Sequence, residues 1–95
     1  HEVRDNWYPG QVLGDKAPYQ EKRVDVLIER ARRAFLEHYP IARDAKGGTP
    51  IYRHVPFGPL VDVFALDMRS HRGPNSANRQ PAPSPETAFL GSAQV

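Results

Sequence analysis

Apolar residues recur at three- and four-residue steps through Val24, Leu27, Ile28, Ala31, Ala34 and Phe35, one stripe of an amphipathic helix. The opposite face carries Arg23, Glu29, Arg30, Arg33 and Glu37. Glu29 stands four residues ahead of Arg33, the favourable order for a surface ion pair worth about 0.2–0.5 kcal/mol. The stripe predicts a helix over residues 19–39, stopped by Pro40, which lacks an N–H and biases Tyr39 away from helical dihedrals. Further along, the period changes. Residues 51–55 alternate in part, as a half-exposed strand does, and residues 60–66 are nearly continuous apolar sequence rich in β-formers, which predicts a strand covered on both faces. The link Phe57-Gly58-Pro59 is too short for a parallel crossover, so residues 51–69 are expected to form an antiparallel hairpin. The fold class that follows is α+β.

Other stretches frame these elements. Residues 1–18 read as a loop from their turn signals, Pro9-Gly10 and Gly14-Asp15, and a polar connector with Gly47-Gly48 precedes the first strand. Residues 73–95 shift towards Pro, Asn, Ser, Gln and Ala. They predict an irregular loop too poor in apolar residues to pack tightly, then the start of another helix with Ser92 as its cap. A length of 95 residues allows one small domain at most. A hydrophobic content of 39% and a mean hydropathy of −0.64 are lean for a self-sufficient core. The net charge of +2, from 13 basic and 11 acidic residues without a block of one sign, argues against nucleic-acid binding. The absence of cysteine excludes disulfides and thiolate metal sites within these residues, and no apolar run is long enough to span a bilayer.

The chemistry concentrates at the start. His1, Glu2, Asp5 and Asn6 place an imidazole, two carboxylates and an amide in one short run, closed by Trp7-Tyr8 and Pro9-Gly10. Such a run is too polar to nucleate a core and reads as an active-site loop. A metal-phosphoester site needs hard oxygen ligands, imidazoles and a group that binds or protonates a phosphate oxygen, and these residue types are all here. The loop alone cannot hold a metal. The structural alternative makes Asp5 and Asn6 turn residues and pairs Glu2 with an arginine. Asp67, Arg69 and Arg72 form a second constellation, where the apolar strand ends and a rigid scaffold can present charge. Guanidinium forks suit phosphate, while the alternative is an ion pair from Asp67 to Arg69 or Arg72 that pins the following loop. His38 meets the negative end of the helix, His54 sits on a half-exposed strand, and Arg30, Arg32 and Arg33 make a solvated face. Trp7 and Tyr8 either stack on a ligand or anchor the loop. No initiator methionine or leader precedes His1, so a piece of a longer chain is expected.

The order of the segments adds a family. His-Glu-Val-Arg-Asp-Asn-Trp at the start, then Phe-Leu-Glu-His-Tyr-Pro-Ile, then Phe-Gly-Pro-Leu-Val-Asp-Val-Phe-Ala-Leu-Asp-Met-Arg-Ser, then Arg-Gly-Pro-Asn and finally Phe-Leu-Gly resemble the alkaline phosphatase D family. These metallophosphatases belong with the calcineurin-like phosphoesterases, and the similarity runs over residues 1–94. The resemblance implies a two-sheet β-sandwich flanked by helices, of which this chain would be a central slice. It implies that His1 contacts the phosphate and helps the leaving oxygen, that Glu2 supports His1, and that Asn6 is a metal ligand. Met68 and His71 stand where the family usually has Thr and Tyr. Implied cofactors are iron and calcium, and implied substrates are phosphate mono- and diesters, attacked by metal-activated hydroxide. The implied location is extracytoplasmic, periplasmic or secreted. The implied partner is the remainder of a parent chain, without which the slice would be inactive. A reading from another class is a small stand-alone interaction module using the arginine-bearing helix and the Pro-rich tail. Such a module would melt cooperatively, whereas an enzyme slice would leave apolar helix and strand faces exposed.

Overall fold

A computed structural model describes residues 3–42, 49–77 and 79–95. The elements, in chain order, are helix α1 (Val24–His38), strands β1 (Arg53–Phe57) and β2 (Val61–Ala65), and a single 3-10 turn at Pro85–Thr87. One helix and one antiparallel hairpin make an α+β chain.

Helix α1 begins at Val24, later than the residue 19 that the apolar stripe predicts. The segment before it is committed to another partner. Val12 and Arg23 form an antiparallel bridge, the Leu13 N–H donates to the Lys22 carbonyl at 2.8 Å, and the Val24 N–H donates to the Gln11 carbonyl at 3.0 Å. Arg23 is therefore extended, and it offers no side-chain cap. Glu21 helps instead, accepting the Arg23 N–H at 2.9 Å. Asp25 lies in the first turn, where a carboxylate suits the helix dipole, and accepts the Gly10 N–H at 2.8 Å. Pro40 ends the helix as expected, with Tyr39 extended at ψ 143°. The surface pair joins Arg33 to Glu37 at 2.7 Å, not to Glu29, and at that exposure contributes little.

The core sits at the N-terminal half of α1. Val3, Leu13 and Val24 are buried, with Trp7, Tyr19, Leu27, Ile28 and Ala31 packed against them. The opening loop thus carries Val3, Trp7, Leu13 and Ala17 as apolar anchors among its polar residues, and the Tyr19 hydroxyl ties it down by donating to the Val3 carbonyl at 2.7 Å.

In the hairpin His54 faces Phe64, Val55 faces Val63 and Phe57 faces Val61. Because paired residues share a face, Val55, Phe57, Val61 and Val63 line one side while His54, Asp62 and Phe64 line the other. The expectation that residues 60–66 are covered on both faces is not met. Phe57 is 76% exposed and Phe64 68% exposed, because no second sheet or helix of the described residues packs on either face. The alternation is amphipathic, half hidden in the sequence by the aromatic Phe64 on the polar side. There His54 stacks on Phe64 at 4.7 Å between ring centres and bonds Asp62 at 2.6 Å.

In the tail the chain turns once at Pro85–Thr87 and then lies against the loop after β2. It packs through polar contacts, which apolar content does not register. The Gly73 N–H donates to the Ala88 carbonyl at 2.7 Å, and a Cβ at Gly73 would lie 2.5 Å from the Glu86 carbonyl oxygen. Gly91 has φ +73°, and a Cβ there would meet the His71 Cβ at 2.6 Å. Both close approaches need glycine.

The accessible surface is 7610 Å², against about 5,500 Å² for a compact protein of this mass. The radius of gyration is 15.7 Å, against about 12 Å for a closed domain of this length. The chain is open, with its hairpin standing clear of the core. No described helix is long and apolar enough to cross a membrane.

Candidate active site

The opening loop, the inner side of α1 and the turn after β2 enclose a cleft of about 660 Å³. Asp5, Asn6, Asp67 and Arg69, which belong to two separate constellations in the sequence, line this one cleft together with Arg4, Arg32 and Ser70. Trp7, Ile28, Phe35 and Ile51 give it an apolar wall.

Asp67 is 7% exposed and builds the turn after β2. Its Oδ1 accepts the Arg69 N–H at 3.0 Å and the Ser70 N–H at 2.9 Å. The pairing with the Arg69 or Arg72 guanidinium allowed by the sequence is replaced by these backbone bonds. Burial alone would push the Asp67 carboxyl up. Hydrogen bonds from Ser70 and from the Arg69 N–H, with the nearby His71, outweigh it and hold the group below its ordinary 3.8. The Asp67 backbone is held by Gln94, whose side-chain amide acts like a short strand. Gln94 Oε1 accepts the Asp67 N–H at 2.8 Å, and Nε2 donates to the Asp67 carbonyl at 2.7 Å and the Leu90 carbonyl at 2.6 Å.

Arg72 points elsewhere. Its guanidinium lies 5.8 Å from the centre of the Phe89 ring and donates to Asn75 Oδ1 at 2.9 Å. Asn75 in turn donates from Nδ2 to the Asn6 carbonyl at 2.6 Å, so Arg72 and Asn75 brace the opening loop. Asn6 has φ +52°, a left-handed conformation that asparagine tolerates better than most residues. Asp5 and Asn6 are exposed, and Trp7 and Tyr8 are half-buried. Trp7 both anchors the loop to the core and lines the cleft.

His1 and Glu2 lie outside the described residues. His38 donates from Nδ1 to the Ala34 carbonyl at 2.9 Å and belongs to the helix end, while His54 belongs to the outer hairpin. Arg30 and Arg33 are solvent-exposed, as the sequence suggests, but Arg32 turns inward and donates to the Thr49 carbonyl. Reading the sequence missed Arg4, Arg32, Gln94 and Asn75. The one available signal was the crowding of Arg4 among the polar residues of the opening loop.

For a metal, the donor set is insufficient. Among the described residues no three His, Asp or Glu side chains come together. The described residues do not by themselves fit an iron or calcium centre. The cleft sets Arg4, Arg32 and Arg69 beside the carboxylates of Asp5 and Asp67 and an apolar wall.

No curated protein and no solved structure matches the chain. A family model does, that of the PhoD-like phosphatases, and it matches residues 1–95. A phosphatase-type function at the level of the family, the hydrolysis of phosphate esters, agrees with the arginine-lined cleft. With the match extending over the whole sequence, this chain belongs to the PhoD-like phosphatase family.

Proposed function

We propose that this chain forms part of the active unit of a metal-dependent phosphoric ester hydrolase that acts on phosphomonoesters and phosphodiesters outside the cytoplasm. The family match over residues 1–95 carries the reading. The cleft that joins the opening loop to the Asp67 turn supports it. In this reading His1 contacts the phosphate and gives its proton to the leaving oxygen as the ester P–O bond breaks. Glu2 supports the imidazole, and Asn6, on the loop braced by Asn75, is a ligand of the metal. Iron and calcium, the cations that the resemblance implies, would supply the hydroxide when bound. Residues other than those described would supply the remaining ligands, and the exposed hairpin face would be covered by further polypeptide.

The test uses the full polypeptide that carries these residues, stripped of metal and reloaded with iron, calcium or both. Hydrolysis of p-nitrophenyl phosphate or bis(p-nitrophenyl) phosphate is the expected result, falling by about 100-fold or more in His1→Ala with unchanged circular dichroism. Inactivity with every metal supplied overturns the reading, and full turnover in His1→Ala removes the histidine from the chemistry.

A further inference from the structure

Arg72-Gly73-Pro74-Asn75 follows the Asp67 turn, and its side chains touch neither the ester nor a metal in the reading above. Its contacts run to the opening loop on one side and to the tail on the other. On the tail side the Gly73 N–H donates to the Ala88 carbonyl at 2.7 Å, and the Arg72 guanidinium lies 5.8 Å from the centre of the Phe89 ring. A cation over an aromatic face is attracted by the ring quadrupole. On the loop side Asn75 Nδ2 donates to the Asn6 carbonyl at 2.6 Å. One amide group joins the two sides: Asn75 Oδ1 accepts from Arg72 Nη2 at 2.9 Å while Nδ2 serves Asn6. Accepting from a cation polarises the amide and strengthens its own N–H as a donor. The Pro74 ring locks one backbone dihedral between them, which stiffens the arm. The carbonyl that Asn75 holds belongs to the peptide unit between Asn6 and Trp7, and both of these residues line the cleft. Asn6 stands at φ +52°, in the left-handed region that L-residues occupy only when their surroundings hold them there. Rotation at that point would swing both side chains, so a bond on one carbonyl governs the setting of two cleft residues.

We infer that Asn75 is a positioning residue: it holds the Asn6–Trp7 peptide in its left-handed setting, and Arg72 transmits to it the anchorage of the tail at Phe89. The inference rests on the phosphatase reading only for the reaction that the loop serves. It gives the Arg-Gly-Pro-Asn segment a task that is neither substrate binding nor core packing. Asn75 is exposed and stands apart from the core of Val3, Leu13 and Val24, so its replacement alters the loop and leaves that core intact.

The experiment is amide hydrogen exchange, read by mass spectrometry, on the metal-stripped full polypeptide and its Asn75→Asp variant. Aspartate keeps the shape and the acceptor for Arg72 but cannot donate, and it turns a charge towards the Asn6 carbonyl. Peptides covering residues 4–8 should exchange about two- to tenfold faster in the variant, the range for one lost hydrogen bond. Exchange at Leu13 and in the first half of α1 should stay as it was. Arg72→Ala should move the same loop peptides by a smaller factor, and Arg30→Ala on the solvated face should not move them. Unchanged loop exchange in Asn75→Asp overturns the inference. Acceleration spread evenly over loop and core also overturns it, by making Asn75 a plain contributor to stability. In the metal-loaded polypeptide kcat for p-nitrophenyl phosphate should fall by at least the same factor while KM stays nearly constant. A loosened loop with kcat unchanged overturns the positioning role. Should Asn75→Asp fail to fold, Arg72→Ala decides by the same comparison of loop with core. The exchange readout needs neither metal nor turnover. A polypeptide that hydrolyses no ester but shows the loop-confined change loses the phosphatase reading alone, and an active enzyme without that change loses the positioning residue alone.

Discussion

Asp67 is a charged residue at a strand end, the position where catalytic carboxylates often stand, yet its contacts are architectural. One carboxylate oxygen closes the turn to Arg69 and Ser70, and the backbone on either side is gripped by Gln94. The consequence is pH-dependent. The folded-state pKa lies below the ordinary 3.8, so the unfolded chain binds the proton more readily. The stabilisation is present above 3.8 and disappears as pH falls through the lower folded value. Urea titrations read by the single Trp7 should show a midpoint that drops below pH 4 in the unaltered chain. In Asp67→Asn the midpoint should be lower at neutral pH and should lose this acid-dependent part of the drop. An identical acid profile in the two proteins would remove Asp67 from that role. The same residue shows where sequence reading stops. A turn-forming carboxylate and a catalytic one have the same spelling, and only the Gln94 side chain, 27 residues away, completes the distinction.

Among the elements, the helix and the hairpin differ in how they are supported. Helix α1 has its apolar stripe covered by the opening loop over its first half, and the stripe was legible because a 3.6-residue period is a local property. Its start was not legible, since the bridge between Val12 and Arg23 overrides local helix propensity in the residues before Val24. The hairpin was legible as a pair, through its short link and β-rich composition. Its burial was not, because covering a sheet depends on what packs against it. An isolated two-stranded ribbon is marginal in water, and the apolar side of this one is uncovered. Phe57→Ser should therefore change the unfolding free energy of the 95-residue chain by no more than about 0.5 kcal/mol while reducing its self-association. Light scattering and urea titration measure the two. A loss of several kcal/mol would mean that the face is packed in solution.

For the molecule as a whole, the excess surface and the small core predict uneven stability. Amide exchange on the 95-residue chain should show protection concentrated in the first half of α1 and in the bridge region around Leu13, with the hairpin exchanging far faster. Uniform slow exchange with a sharp cooperative melt would favour the stand-alone interaction module instead. Of the candidate site, the residue types were visible in sequence and their meeting was not. Asn6 and Arg69 are each conspicuous, but nothing local says that one cleft holds both, or that Arg72 faces away.

The bond from Asn75 to the carbonyl of Asn6 spans 69 positions. A polypeptide leaves the ribosome in one direction, so the first turn of this segment emerges long before the amide that fixes it. Until then, Tyr19 and the apolar anchors help to restrain that turn. Completion of the groove is thereby deferred to the end of synthesis of the segment, when its front and back are joined.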